Sequence, residues 1–208
     1  MEYKEVDLGI EIDGKKLIFA DRNVGAENVF DIGDWFYWGE TEPILIGDNR
    51  KEKWRCDNND YTYTKYNNKD KKRTLNLKDD AAHVNMGGDW RMPREEELEL
   101  LLKNPNIKVS WTGNYKQSKV WGMLFKGNGQ ELFIPPAGFI SKGWLHWCGT
   151  SGHIWSSDLS KLAKYQEYIY AVQLDIESPF LLKKHLYDYK IITNWRNLGC
   201  SVRGVKLI

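Results

Sequence analysis

The chain has 208 residues, of which 41% are hydrophobic and 28% are charged, and its mean hydropathy of −0.61 is typical of one ordinary globular domain. Thirty basic residues face 29 acidic ones, a net charge of +1, which argues against a nucleic acid or an anionic membrane as the partner. The sequence has no signal-peptide pattern and no run near the ~20 apolar residues of a membrane span, so we expect a cytoplasmic or particle-associated protein, unless another route displays it at the cell surface.

The first residues predict a β-hairpin. Apolar and polar side chains alternate over Tyr3–Ile12, Asp13-Gly14 is a typical hairpin turn, and Lys16–Ala20 returns as a second strand. A brief helix is expected over Ala26–Ile32. Residues 46–76 are polar, aromatic and lysine-rich without a clear period, which indicates a long irregular surface insertion with one ribbon at Tyr61–Tyr66.

The clearest helix signals follow this insertion. A short helix is predicted over Asp79–Asn85, ended by two glycines, and a longer one begins with Pro93 in its first turn. Glutamates at 95–97 complement the positive end of that helix dipole, and leucines recur on one face. Trp90, between the helices, is expected in the core, with Arg91 paired to a carboxylate or to carbonyl groups.

The rest of the chain predicts strands and loops. The predicted strands are Val109–Thr112, Val120–Lys126, Leu132–Ile134, Ala137–Ile140, His153–Ser157, Tyr168–Ile176 and Gly199–Leu207. The predicted loops are Ser141–Gly152, which is rich in glycine and aromatic residues, 177–190 and Ile191–Leu198. Two helices followed by antiparallel strands indicate an α+β fold, in which the last strand pairs with the first.

Seven short blocks support a family resemblance. They are VDLG at 6–9, RNVGAE at 22–27, GDWFYWGETEP at 33–43, DDAAHVNMGGDWRMPREEELELLL at 79–102, FIPPAGF at 133–139, IWSSD at 154–158 and GCSVRGV at 199–205. In these blocks and their order the chain resembles the Fibrobacter succinogenes major paralogous domain family over most of its length. The sequence departs from the family pattern at Arg94, where Thr is common, and at Cys200, where an aromatic residue is common. Neither change threatens the fold.

The resemblance implies a fold and a role. The family is similar to the C-type lectin fold, here two helices packed on antiparallel sheets with the N- and C-terminal strands paired. The whole chain, 1–208, would form one such domain with the insertion at about 46–76. Family members include the variable proteins of diversity-generating retroelements, whose C-terminal part displays diversified side chains on a fixed scaffold. The expected scaffold residues are Trp35, Trp38, Trp90, Arg91, Trp155 and Arg203.

The predicted recognition surface lies in the last fifty residues. Ile192, Trp195 and Leu198 are apolar side chains in a predicted exposed loop, which favours contact with a partner. The alternative is that Trp195 closes the bottom of the sheet. The resemblance adds residues from the neighbouring segments. The predicted ligand-binding residues are Asp158, Leu159, Tyr187, Tyr189, Ile192, Thr193, Asn194, Trp195, Asn197 and Leu198.

The sequence lacks the residue patterns that are typical of catalytic sites. Cys56, Cys148 and Cys200 are too few and too far apart for a disulfide framework or a metal knuckle, and free, mostly buried thiols are expected. Formylglycine-generating enzymes share the lectin-like fold but need two closely spaced cysteines. No Ser-His-Asp or Cys-His arrangement can be read from four scattered histidines, so no catalytic residues and no enzymatic activity are expected.

Metal binding is also disfavoured. Lectins surround calcium with two tripeptides that supply oxygen ligands. The nearest sequence here to the first, at 42–44, is in the wrong part of the chain, and the nearest to the second, at 194–196, has a cation in place of the carboxylate. His146, Cys148 and His153 resemble a run of soft-metal ligands, but incidental spacing is the favoured explanation. No metal and no cofactor are expected.

The sequence thus predicts a non-enzymatic, calcium-independent protein that binds a protein or glycan surface. The alternative is a structural or assembly subunit of a phage particle or a bacterial surface appendage, in which the same aromatic side chains are buried against a neighbouring subunit. Exposure of Trp195 in the isolated monomer distinguishes these two functions.

Overall fold

The computed structural model describes residues 2–55, 63–67, 69–160, 170–179 and 187–208. Within these ranges the chain is α+β, with two α-helices and mostly antiparallel sheets, as predicted. The helices are α1 (Ala81–Met86) and α2 (Glu95–Lys103). The strands are β1 (Glu5–Ile12), β2 (Lys15–Ala20), β3 (Trp35–Phe36), β4 (Lys108–Thr112), β5 (Gly122–Gly127), β6 (Gln130–Ile134), β7 (Phe139–Ser141), β8 (Trp144–His146), β9 (Ser151–Leu159), β10 (Tyr170–Glu177), β11 (Asp188–Trp195), β12 (Cys200–Ser201) and β13 (Val205–Leu207).

The chain ends meet in one three-stranded sheet of order β1-β2-β13. The predicted hairpin β1–β2 is confirmed. The last strand, however, pairs with β2 and not with β1, which corrects the prediction. The reason is the residue pattern: β2 buries four consecutive side chains, residues 17–20, as a central strand does, whereas β1 alternates buried and exposed side chains.

The largest sheet has five strands in the order β11-β10-β9-β12-β3. All of its pairings are antiparallel except that of β12 with β9. Strands β4, β5 and β6 form a separate antiparallel sheet, and β7 and β8 form a two-stranded hairpin.

Two cores hold these sheets together. The larger core joins β2, α2, β5 and β10, with Phe19, Leu98, Phe125 and Leu174 among its buried side chains. The second core lies around Trp38, Tyr66 and Trp155. The indole N–H of Trp38 donates to the Ser156 carbonyl (2.9 Å) and that of Trp155 to the Phe36 carbonyl (2.9 Å), so both rings are fixed as well as buried.

Both helices occur where they were predicted, with shifted starts. Asp80 caps α1, because its side chain accepts from the His83 N–H (2.9 Å). Helix α2 begins at Glu95 with Arg94 as its N-cap residue, so Pro93 precedes the helix. The Pro93 carbonyl instead accepts from the Ser157 N–H (2.7 Å) on β9. The predicted pairing of Arg91 with a carboxylate is confirmed, since the half-buried Arg91 forms an ion pair with the buried Glu97.

Three local predictions were wrong. Residues 26–32 form turns and bends and not a helix, because the Asp31 carboxylate accepts from the Asn28 N–H (2.8 Å) and so offers the backbone a local alternative to helical bonds. The predicted loop 141–152 contains β8. The predicted loop 191–198 is largely strand β11, and the segment 199–207 forms two short strands, β12 and β13, and not one.

Parts of the insertion lie outside the described residues. These include Cys56 and the first two residues of the predicted ribbon at 61–66, although Tyr63 forms an isolated bridge with Arg55. Residues 168–169 of the predicted strand 168–176, and residues 180–186 of the predicted loop 177–190, are also outside. Cys148 and Cys200 are free thiols, as predicted; Cys200 is buried, whereas Cys148 is exposed. Within the described ranges, none of the helices has the length and apolar character that crossing a membrane requires.

Candidate functional site

Strand β11 turns part of the predicted recognition surface toward the protein interior. Its register with β10 sets Tyr189 opposite Ile176 and Ile191 opposite Leu174. Tyr187 and Tyr189 therefore pack against the larger core. The hydroxyl of Tyr187 also donates to the Val109 carbonyl at 2.7 Å, which ties this strand to β4.

The other predicted residues of β11 lie in different surroundings. Ile192 and Asn194 are on the opposite face, across from Gln173 and Ala171 of β10. Thr193 is on the face of Tyr189, half-buried across from Val172. Trp195 is half-buried against the second core, with its ring centroid 4.8 Å from that of Tyr170.

The remaining members of the predicted set have structural contacts. Asp158 accepts from the backbone N–H of Glu95 (2.9 Å) and from the hydroxyl of Thr74 (2.6 Å), so it closes the start of α2. Leu159 is fully buried and Leu198 is largely buried. The ten residues thus do not form one continuous exposed patch, and Asn197 alone among them lines the cavity described below.

The most exposed aromatic side chains of the described residues lie on and beside the hairpin β7–β8. Trp144 is 73% exposed and Trp147 is 56% exposed. On the same face of the hairpin, the ring of Phe139 stacks on His146 with centroids 5.1 Å apart and meets Trp147 edge-on at 5.6 Å. Phe139 itself is partly buried against the second core. We call residues 139–147 the aromatic hairpin. Large exposed rings on a regular element are typical of a binding surface.

The aromatic hairpin is held rigidly from behind. Ile140, on its inner face, is buried with Tyr37 and Ile44, and the backbone of Ile140 exchanges two hydrogen bonds of 2.8 Å with Gly199. Gly138 precedes it with φ of +64°, where a Cβ would lie 2.1 Å from the His146 carbonyl oxygen, so this position requires glycine. At the tip, the Gly47 N–H donates to the Gly143 carbonyl at 2.7 Å. The exposed rings therefore stand on a fixed support.

A polar cavity of about 190 Å³ opens beside the tip of the hairpin. Its walls come from four parts of the chain: Tyr37, the segment 49–55, the hairpin residues Ser141 and Lys142, and Asn197 after β11. Ser141 is directly opposite Trp144 in the hairpin, and facing residues in such a pair lie on the same side. Trp144 is therefore the cross-strand neighbour of a residue in the cavity wall.

The cavity wall combines hydrogen-bonding groups of several kinds. Arg50 lies 3.6 Å from Glu40 and 3.5 Å from Asp48, and Arg55 lies 3.6 Å from Glu52. Tyr37 donates a long hydrogen bond, 3.4 Å, to the Arg50 carbonyl. Burial, with the nearby carboxylates, raises the pKa of Tyr37, so it lines the cavity as a neutral hydroxyl.

A buried polar cluster lies beneath the hairpin. His153 Nε2 is 3.0 Å from Ser151 Oγ, and its Nδ1 is 2.7 Å from Asp175 Oδ1 and 2.9 Å from Gln173 Nε2. The order hydroxyl, imidazole, carboxylate is that of a serine-hydrolase triad. Ser151, however, has no exposed surface, and Phe139 packs edge-on over His153 at 5.2 Å, so no substrate reaches this hydroxyl. The two ring nitrogens of His153 thus contact three buried polar side chains between β9 and β10.

This buried cluster includes His153, the last residue of the HWCGTSGH run that resembles soft-metal ligands. His146 is exposed in the hairpin, whereas both ring nitrogens of His153 contact buried partners. Within the described ranges, no three His, Cys, Asp or Glu side chains are placed to hold a metal ion.

Sequence analysis missed both the aromatic hairpin and the cavity. Residues 141–152 were predicted as a loop because their glycines hide the alternation of Trp144, Leu145 and His146, which was the available signal. The cavity joins segments about 90 and 55 residues apart in the sequence, so no local pattern could reveal it.

The fold and site were compared with known proteins in three ways. No family model, no curated protein and no solved structure matches the chain.

Proposed function

We propose that this chain is a non-enzymatic binding protein that recognises carbohydrate through the aromatic hairpin and the polar cavity beside it. The placement of Trp144 carries the proposal. Its ring is 73% exposed on a rigid hairpin and lies opposite Ser141, a residue of the cavity wall.

A sugar ring needs two kinds of surface at once. Its C–H groups form a flat apolar face that packs on an aromatic ring, and its hydroxyls need donors and acceptors at fixed positions. Trp144 supplies the first surface and the cavity supplies the second, with Asn49 and Asn197 in its wall. A protein partner is better matched by a larger continuous apolar patch.

We also propose that the chain is a member of the Fibrobacter succinogenes major paralogous domain family with a C-type lectin-like fold. The ordered sequence blocks support this proposal, as does the burial of the expected scaffold residues Trp38, Trp155 and Arg203. On this proposal the diversified side chains include those of 192–198, of which Asn197 reaches the cavity. A near-repeat of the codons for 154–203, differing at adenines and lying beside a reverse transcriptase gene, would support it further.

The experiment compares three proteins on a glycan array: the natural chain, the double variant Trp144→Ser with Trp147→Ser, and the control Trp121→Ser. Trp121 is also exposed, at 48%, but lies away from the hairpin, just before β5. We expect the natural chain and the control to bind the same glycans. Loss of two aromatic anchors should weaken that binding by roughly 30-fold or more. All three proteins should melt at similar temperatures, because exposed rings contribute little to folding.

Two outcomes would contradict the proposal. Array binding that survives in the double variant would place recognition elsewhere on the molecule. A stable oligomer of the natural chain in light scattering, converted to monomer by the double variant, would favour the assembly subunit, because the hairpin would then be buried against a second copy.

A further inference from the structure

We infer that the carbohydrate recognised at this site carries a negative charge, a carboxylate or a sulfate, and that Lys142 at the hairpin tip binds it. This inference rests on the proposed function, since it assigns the ligand class of the same site. Two independent observations support it: the charge of the cavity wall and the residue type at one turn position of the hairpin.

The cavity wall carries more positive than negative charge. Of the described residues that line it, one is a carboxylate, Glu52, and four are cationic: Arg50, Lys51, Arg55 and Lys142. The whole chain has a net charge of only +1, so this excess is local. A local excess of positive charge favours a small anionic group that enters the cavity, because charges beyond about 8 Å are screened by salt.

Lys142 is the cation of this wall that is open to a ligand. The two arginines lie 3.5–3.6 Å from carboxylates, which offset their charge. Lys142 is exposed, and within the described ranges its side chain forms neither an ion pair nor a hydrogen bond. An ammonium has three donors and no acceptor, and it binds a charged oxygen more strongly than a neutral hydroxyl.

Lys142 also occupies a turn position that lysine does not favour. The described residues include three two-residue hairpin turns in which both residues have positive φ. They are Asp13-Gly14 (50° and 75°), Asn128-Gly129 (47° and 72°) and Lys142-Gly143 (50° and 77°). Turns of this kind strongly prefer Asn or Asp at the first position, since these residues tolerate positive φ. Two of the three turns follow this preference, and the turn at the cavity does not.

The structure around the turn holds the lysine in this conformation. The Gly47 N–H donates to the Gly143 carbonyl (2.7 Å), and a Cβ at Gly143 would lie 2.8 Å from Asn49 Oδ1, so the tip packs closely on the neighbouring segment. Backbone strain that the surrounding structure maintains is concentrated at functional sites. The side chain of Lys142 therefore serves binding, at a small loss of stability.

The surroundings of Lys142 fit a sugar better than a simple anion. Lys142 lies in the turn that joins Ser141 of the cavity wall to the exposed Trp144, and Asn197 lines the same cavity. An acidic sugar combines an apolar ring face, hydroxyls and a negative group. This part of the molecule offers an aromatic ring, hydrogen-bonding side chains and a cation, whereas an inorganic anion would use the cation alone.

The test titrates the natural chain with methyl glycosides of glucose, galactose and mannose in three forms: uncharged, oxidised at C6 to the carboxylate, and sulfated at O6. NMR signals of the Trp144 indole N–H and the Asn197 amide report binding. At least one acidic form should bind with a Kd roughly 5-fold or more below that of its uncharged parent, because hydrogen bonds between charged groups are stronger. The carboxylate and sulfate forms together identify which anion is preferred. Raising NaCl from about 50 to about 500 mM should reduce this preference, since salt screens exposed charges.

Lys142→Asn separates binding from folding, because the two should change in opposite directions. This variant should lose the preference for the acidic form, yet melt about 1–4 °C higher than the natural chain, since asparagine suits the turn. Asp13→Lys is the matched control. It places a lysine at the equivalent position of the β1–β2 turn, which does not line the cavity, so it should melt lower and keep the full preference.

Four results would overturn the inference. They are no tighter binding of any acidic form, a preference that persists in Lys142→Asn, a lower melting temperature of Lys142→Asn, and inorganic sulfate that binds as tightly as the best acidic sugar. With any of these, array binding that depends on Trp144 would still support the proposed function. Loss of that array dependence would remove both proposals.

Discussion

Arg203 joins three separate parts of the molecule through one buried guanidinium. Its Nε donates to Asn23 Oδ1 (2.9 Å), and its two other nitrogens donate to the carbonyls of Ala20 (3.1 Å) and Phe133 (2.9 Å). Full burial lowers the pKa of Arg203 to about 9. The fork geometry of arginine, more than its charge, suits these three acceptors.

We therefore expect Arg203→Lys to destabilise the protein by about 3 kcal/mol, although it keeps the charge, because a lysine ammonium cannot reach all three acceptors. Arg94→Lys is the matched control, since Arg94 is largely exposed and should change stability by no more than about 0.5 kcal/mol. Urea unfolding of both variants measures the difference. Equal losses of stability in the two variants would show that the three hydrogen bonds of the Arg203 guanidinium do not stabilise the fold.

Asp80 gives a residue-scale prediction that depends on pH. It accepts from the backbone N–H groups of His83 and Met92, yet burial, the largest effect, raises its pKa above the ordinary carboxyl value. A raised pKa in the folded state means that the native protein holds the proton more tightly than the unfolded chain. The stabilisation from this group is thus complete below the unfolded pKa and is lost as pH rises through the folded pKa.

The stability of the natural chain relative to Asp80→Asn should accordingly fall as the pH rises from about 4, the ordinary pKa of an aspartate, through the raised pKa of the folded state. Taking the difference between the two proteins at each pH removes the contribution of all other titrating groups. Urea titrations at several pH values give these differences in unfolding free energy. A difference that grew with pH would show that the hydrogen bonds to the ionised carboxylate outweigh its burial.

At the scale of elements, the two helices were predictable because their signals are local. Glycines, a proline and a run of glutamates mark their ends within a few residues of sequence. Strand β11 was not predictable in this way, because Ile191, Ile192 and Trp195 look like exposed apolar loop residues until β10 lies beside them. A helix forms its backbone hydrogen bonds between residues four apart in the sequence. A strand forms them with another strand that is distant in the sequence.

Helix α2 offers a comparison between two ion-paired glutamates on one helix. Glu97 is buried, pairs with Arg91 through both carboxylate oxygens and accepts from the Arg94 N–H (2.7 Å). Glu99 is exposed and pairs with Lys103 at 2.8 Å. Glu97→Ala should cost about 3–5 kcal/mol, since it leaves the half-buried Arg91 without its carboxylate and the Arg94 N–H without its acceptor, and Glu99→Ala about 0.3–0.5 kcal/mol. Thermal and urea unfolding check the ratio; similar losses would mean that burial does not strengthen the Arg91–Glu97 pair.

At the scale of the whole molecule, the α+β class followed from the order of helices and strands, but the candidate site did not. The cavity forms where the segment 49–55, the hairpin tip and Asn197 meet, and each contributes side chains whose spacing in sequence carries no period. Ser151, His153 and Asp175 likewise come together only because β10 pairs with β9 in one register. Contacts between parts of the chain that are distant in sequence therefore determine which side chains meet in the cavity and in the buried polar cluster.

The closure of the chain ends gives the last prediction. Strand β13 pairs with the edge of β2 that does not pair with β1. In β13, Val205 is fully buried, and its N–H and carbonyl both bond to the backbone of Arg91 (2.8 and 3.0 Å). Deleting residues 205–208 removes Val205 and Leu207 from the larger core and leaves the central strand β2 as an open edge. Each buried aliphatic side chain contributes about 1.5–3 kcal/mol, so the deletion should remove more than about 3 kcal/mol.

Typical domains have only about 5–15 kcal/mol of stability in total, so we expect this truncated protein to lose most of its cooperative urea transition and its near-ultraviolet circular dichroism. Deleting Ile208 alone is the control: it removes an exposed side chain and two backbone hydrogen bonds to Lys16 (2.9 and 3.1 Å) but keeps β13. That control should remain folded, with a loss of about 1–3 kcal/mol. If both deletions gave the same transition midpoint, β2 would be stable as an edge strand, and the joining of the chain ends would not be required for the fold.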